Sequence, residues 1–248
     1  MNANLRAEWR KLRTSRATVL LLVAGLAYAV LNGIATAALA GREQNAELGS
    51  AANMANIVRG GNVAMWVMLI VGILAVTTEY RHRTATTTFL ATPRRGTVVG
   101  AKLIVAGTVG AAYALVGMAV GLVAASPQLA SNATSVELAD VHVAGTIAGT
   151  LVGTTLFAMA GVGIGALVRN QTAAIAGALV WFLPAENIVG SFIGWDIARW
   201  LPGQAAASAS AAGGGTLLPA TAGAALFAAY TGVVAVAGTR LAVSRDVT

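Results

Sequence analysis

The sequence predicts an all-α membrane protein with six transmembrane helices, and three observations predict it. Of 248 residues, 57% are hydrophobic and only 10% charged, against about 25% charged in a soluble domain. Mean hydropathy is +0.74, and several apolar runs reach the roughly 18 to 20 residues that cross a bilayer core. Those runs do not alternate apolar with polar residues, which argues against barrel strands.

Residues 1–16 come first, with the stretch "NLRAEWRKLRTSR". Leu5, Trp9 and Leu12 fall at i, i+4 and i+7 on one helical face, and Arg6, Arg10 and Arg13 share another. This is the pattern of an amphipathic interfacial helix. Trp9 would anchor its apolar face in the headgroup zone, and Arg10 and its neighbours would meet anionic lipid. The same residues also suit a plain topology determinant or a dock for a partner protein. Spans are then expected at 17–40, 62–78, 103–125, 143–168, 172–190 and 219–241, in one transmembrane domain covering 1–248. The second is the shortest, and Pro184 interrupts the fifth. The first run is longer than the roughly 7 to 15 residues of a signal-peptide core, so it reads as a retained span.

Lys and Arg sort by side. Thirteen fall on one: Arg6, Arg10, Lys11, Arg13, Arg16, Arg81, Arg83, Arg94, Arg95, Lys102, Arg169, Arg240 and Arg245. Only Arg42, Arg59 and Arg199 fall on the other. By the positive-inside rule the first group is cytoplasmic, which puts both termini in the cytoplasm. The net charge of +7 then reflects span flanks facing lipid headgroups, not nucleic acid.

Several classes of chemistry lack their residues. There is no Cys, which removes thiolate chemistry and Cys-based metal sites. "GAK" at 100–102 lacks the surrounding P-loop pattern. Two His residues make no triad or metal cluster, so an enzyme acting alone, or one with a resident metal or cofactor, is not expected. Ion-coupled transport places ionisable groups inside the bundle, and Glu186, beside Pro184, is the only candidate. The pair forms a candidate outer gate, with helix capping as the rival role for Glu186. Gly145, Gly149 and Gly153, then Gly161 and Gly165, recur at four-residue steps. They suit close helix packing within the chain or a dimer seam. Asn32, Thr150 and Thr154 are candidate pathway-lining residues suited to an amphiphilic or apolar cargo, although Thr also bonds its own helix backbone.

The stretch "TTEYRHRTATTTFLATPRRG", 77–96, follows the second span directly. Thr84 to Thr92 can make two helical turns, with Thr84 as cap and Pro93 as stop. Phe89 and Leu90 would be exposed on it among Arg81, Arg83, Arg94 and Arg95, as an apolar docking knob with a polar rim. The motif "EYRHRT…FLATPRR…K" resembles the first intracellular loop of bacterial ABC transporter permeases of the type-2 class, in particular drug- and antibiotic-exporter-like transmembrane subunits. The amphipathic start and six-span plan are similar as well. The resemblance implies a coupling loop at 79–98 and two copies of a cytoplasmic P-loop ATPase, which bind the ATP and Mg. It also implies a second permease copy, identical or related. Thr84 to Leu90 would seat in each ATPase, and Glu79, Tyr80 and Arg81 would hold that helix to the second span and the N-terminal helix. Arg81, Arg83 or a cation of the N-terminal helix would pair with Glu79. The region after the fifth span, with Trp195 and Trp200, would form a re-entrant or interfacial pair of helices, and 203–215 a flexible outer linker.

Two other classes fit the same composition. A membrane scaffold or sensor would use the loop for a different cytoplasmic partner. A secondary transporter would depend on an ion gradient and need no ATPase.

Overall fold

The computed structural model describes residues 2–42, 45–82, 95–132, 140–210 and 217–244. Every regular element among the described residues is helical. In chain order these are α1 (Asn2–Thr14), α2 (Arg16–Ala38), α3 (Ala51–Arg59), a 3₁₀ turn (Gly60–Asn62) and α4 (Val63–Arg81). They continue as α5 (Arg95–Ser131), α6 (Val141–Val168), α7 (Gln171–Val180), a π turn (Trp181–Ala185), α8 (Glu186–Ile193), α9 (Trp195–Ala198), α10 (Pro202–Ser210) and α11 (Ala220–Ser244). Six stretches are long and apolar enough to cross a membrane: 16–38, 51–81, 96–131, 141–168, 171–193 and 220–241. The chain is therefore described as a multi-pass helical membrane protein. The end carrying α1 is called basal and the opposite end distal.

α6 is the centre. It packs on α4, α5 and α11, and touches α3 and α10. Small residues make this possible. A Cβ on Gly72 of α4 would strike the carbonyl oxygen of Ala158, and one on Gly161 of α6 would strike that of Leu69. The two backbones touch through this glycine pair, as small-residue interfaces allow. Gly149, Gly153, Gly161 and Gly165 are thus used inside the chain, while Gly145 is exposed. Trp66, Phe157, Phe182 and Phe227 fill the middle, with the Phe157 and Phe227 rings 4.8 Å apart. The first, fifth and sixth spans bury only about a fifth of their apolar windows, against over half for the second and fourth. Those three form most of the bundle's outer face.

Several expectations are corrected. The second span, expected at 62–78, forms as α4 at Val63–Arg81, but a separate helix, α3 from Ala51, leads into it and was not expected. Two Asn and an Arg dilute α3's hydropathy, but Met54, Ile57 and Val58 share one buried face. Ser50 caps the start and left-handed Gly60 ends it. The third span is longer than 103–125, since nothing between Arg95 and Lys102 breaks a helix. Of the stretch 79–98 expected as a coupling loop, Glu79 to Arg81 belong to α4 and Arg95 starts α5. Arg83, Thr84, Phe89, Leu90 and Arg94 lie outside the described residues. Pro184 does not break the fifth span. Its missing N–H and its clash with the preceding turn are absorbed by the π turn, and helix continues to Ile193. Residues 203–210 are not a flexible linker. Ala and Ser make α10, whose buried face packs on α6 and α11.

Candidate functional site

The basal end holds a buried cluster of ionisable side chains. Lys102, on α5, is 4% exposed. Its ammonium donates to Glu8 Oε2 at 2.6 Å, to Glu79 Oε1 at 2.8 Å and to the Ala75 carbonyl at 2.9 Å. Lys11 of α1 donates to Glu8 Oε1 at 2.7 Å and to the same Glu79 oxygen at 2.6 Å. Two carboxylates and two ammoniums thus balance at the junction of α1, α4 and α5. All three Lys102 donors are used, which is what makes a buried ammonium tolerable. Burial alone would depress the Lys11 ammonium. Hydrogen bonds and charge from Glu79 and Glu8 outweigh it, and hold the group above its ordinary value.

This arrangement changes the reading of α1. Glu8 is buried, while Trp9 is 45% exposed. Leu12 packs on the core around Val67, Val76 and Tyr113, and Leu5 is half-buried. The docked face therefore runs Leu5–Glu8–Leu12 with Lys11 at its edge. Trp9 and Arg10 point away from it. Glu8 went unread because a lone acid in a basic helix looks solvated; the available signal was its place between Leu5 and Leu12 and its Lys at i+3.

Glu79, Tyr80 and Arg81 leave α4 in three directions, as successive helical residues must. Glu79 joins Lys11 and Lys102. Lys102 was not among the partners expected for it. The Tyr80 ring lies 5.3 Å from the Arg169 guanidinium. Arg169 ends α6 in a left-handed conformation at φ 56° and donates from Nη2 to the Leu241 carbonyl of α11 at 2.6 Å. Arg81 donates to Gln171 Oε1 at the start of α7, at 3.4 Å. The end of α4 is thereby tied to α1, α5, α6, α7 and α11, directly before residues 83–94. A cavity of about 400 Å³ opens beside this junction, lined by Glu8, Lys11, Thr18, Glu79 and His82 among others.

The distal candidates do not meet. Glu186 is fully buried. Its oxygens accept the backbone N–H of Gly203 at 2.8 Å and of Gln204 at 3.1 Å. The carboxylate caps α10, where orphan N–H groups and the helix dipole favour it. Pro184 lies two residues before it, in the π turn. Thr150 and Thr154 are buried on α6 with unpartnered hydroxyls. Asn32 instead reaches the Asn56 carbonyl at 3.4 Å, near the far end of α2. Asn32 lines a distal cavity and Thr150 a separate small void, because Asn32 faces α3 while the α6 threonines face inward. Among the described residues there is no His, Asp or Glu cluster able to hold a metal. No protein-family model matches the chain, and no curated protein is found to be similar to it.

Proposed function

We propose that this chain is the membrane-spanning subunit of an ATP-driven exporter, moved by a separate cytoplasmic P-loop ATPase. In this reading the basal end is cytoplasmic, residues 84–90 dock on the ATPase, and two copies of the chain, or this chain and a related one, form the pathway. One observation carries it: the residues just before that segment are fastened to four other helices and, through Arg169, to a fifth. A force on residues 83–94 would reach α1 and α5 through Glu79, and α6, α11 and α7 through Tyr80 and Arg81. A solvated loop with no mechanical duty needs no such anchorage.

Cargo class has its own support. An apolar cavity of about 290 Å³ lies among α6, α7 and α11, lined by Ile164, Ala174, Trp181, Phe182, Phe227 and Val234 among others. That volume is at the lower edge of ordinary ligand sites, and such a lining suits an amphiphilic or apolar compound. The test replaces Phe89 and Leu90 with Asp, purifies the chain from its native membrane, and measures the copurifying ATPase and its ATP hydrolysis. Loss of both is expected. Undiminished assembly and hydrolysis would overturn the proposal.

A further inference from the structure

Half of the chain's ten asparagines line one distal cavity. Asn32, Asn45, Asn53, Asn56 and Asn62 meet there with Arg59, around a space of about 390 Å³. The cavity lies between the far end of α2 and α3, remote from the basal junction. Arg59 makes no ion pair with any described carboxylate. Its Nε has no hydrogen-bond partner, and neither does Nδ2 of Asn53 or Oδ1 of Asn62, all three atoms being buried. Asn53 as a whole is 2% exposed. Three side chains around one cavity thus each hold an unsatisfied polar atom, where more than nine in ten buried groups are normally paired. Left-handed backbone is gathered at the same place. Arg59 ends α3, Gly60 is left-handed at φ 55° and Asn62 is left-handed at φ 60°. Asn, whose short side chain can hydrogen-bond locally, is among the few non-glycine residues that adopt that conformation, which recurs at ligand clamps. Beneath Arg59 the neighbouring void, toward Thr150, is only about 20 Å³. That is room for about one water, so a guest in the distal cavity stops at Arg59.

We infer that this cavity is a binding site for a phosphate ester that also carries free hydroxyls, such as a polyol phosphate. The guanidinium supplies the fork of donors that matches an oxyanion. The carboxamides each offer a donor and an acceptor, which hydroxyl groups satisfy together. A cavity at the end of a membrane bundle meets such esters both as lipid headgroups and as soluble compounds. The inference does not depend on the exporter reading.

The probes are glycerol 3-phosphate and phosphatidylglycerol. The full chain is placed in phosphatidylcholine nanodiscs and titrated calorimetrically with glycerol 3-phosphate. In parallel, native mass spectrometry counts phosphatidylglycerol retained from mixed nanodiscs. Saturable one-site binding of the soluble ester, or retention of one phosphatidylglycerol per chain, supports the site and identifies the source. Arg59→Gln should weaken it at least tenfold, and Arg42→Gln, at an exposed neighbouring cation, should not. Asn62→Gly removes a carboxamide and Gly accepts the left-handed backbone, so it should keep the thermal midpoint and still lose affinity. Binding of neither probe, or equal binding by Arg59→Gln and Asn62→Gly, overturns the inference.

Discussion

Replacing Lys102 with Met removes one charge and keeps most of the volume. In the native junction the side chains of Lys102, Glu8 and Glu79 are 3%, 7% and 11% exposed. Without the ammonium, two buried carboxylates share Lys11, whose side chain is 45% exposed. The Ala75 carbonyl also loses its donor. Removing one member of a buried ion pair costs roughly 3 to 5 kcal/mol, because the partner charge stays behind. If that cost falls on the docking of α1, the docked-to-released ratio drops by roughly two to almost four powers of ten. Local openings in proteins span this range, so α1 should detach while the six spans stay assembled.

The assay uses the absence of native Cys. Spin labels on Cys introduced at Arg6 and Arg240, both exposed at the basal end, report the distance from α1 to α11. The native chain should give one narrow distribution and Lys102→Met a broad one. Lys102→Met with Glu8→Gln restores the charge balance, leaving Glu79 with Lys11, and should narrow it again. A Lys102→Met chain with the native distance distribution and thermal midpoint would refute the junction as the fastening of α1.

Two further outcomes follow from the same contacts. Glu186→Gln keeps the shape but loses the charge that receives the Gly203 and Gln204 N–H groups. It should destabilise by about 1 to 3 kcal/mol and speed hydrogen exchange at the start of α10; unchanged exchange there would contradict the capping role. Thr154→Val replaces a buried hydroxyl that has no partner with a methyl. Stability should hold or rise, by at most about 1 to 3 kcal/mol, and a lowered thermal midpoint would show that the hydroxyl is bonded after all.

The six spans were legible because apolar length is a local property. The fourth was expected at 143–168 and forms at Val141–Val168; the sixth was expected from 219 and forms from Ala220. What stayed hidden depends on neighbours distant in sequence. α3 carries too much Asn and Arg for a hydropathy reading, yet its apolar residues share one face. α10 looked like a linker because Ala and Ser have no bulk, and lack of bulk is what lets it lie on Gly149 and Gly223. The π turn leaves no mark in sequence beyond Pro184 itself. Glu79 was legible as an important carboxylate, but its partner Lys102 lies 23 residues on. That lysine looked like an ordinary topology charge.

The two uses of positive charge at the basal end separate on inspection. Lys11, Lys102 and Arg169 are spoken for by carboxylates or a carbonyl. Without them, ten of the thirteen cations expected on the cytoplasmic side remain, against three on the other. The bias expected to set orientation therefore does not rely on the residues that bind α1 and the spans together. Selection for topology alone would not bury Lys102 between two acids, since exposed cations serve that end at no desolvation cost. A buried, neutral set of four charges fixes geometry instead. It holds α1, α4 and α5 in one register at the base of the segment through which the proposed ATPase would push, so that a displacement there moves a rigid corner of the bundle.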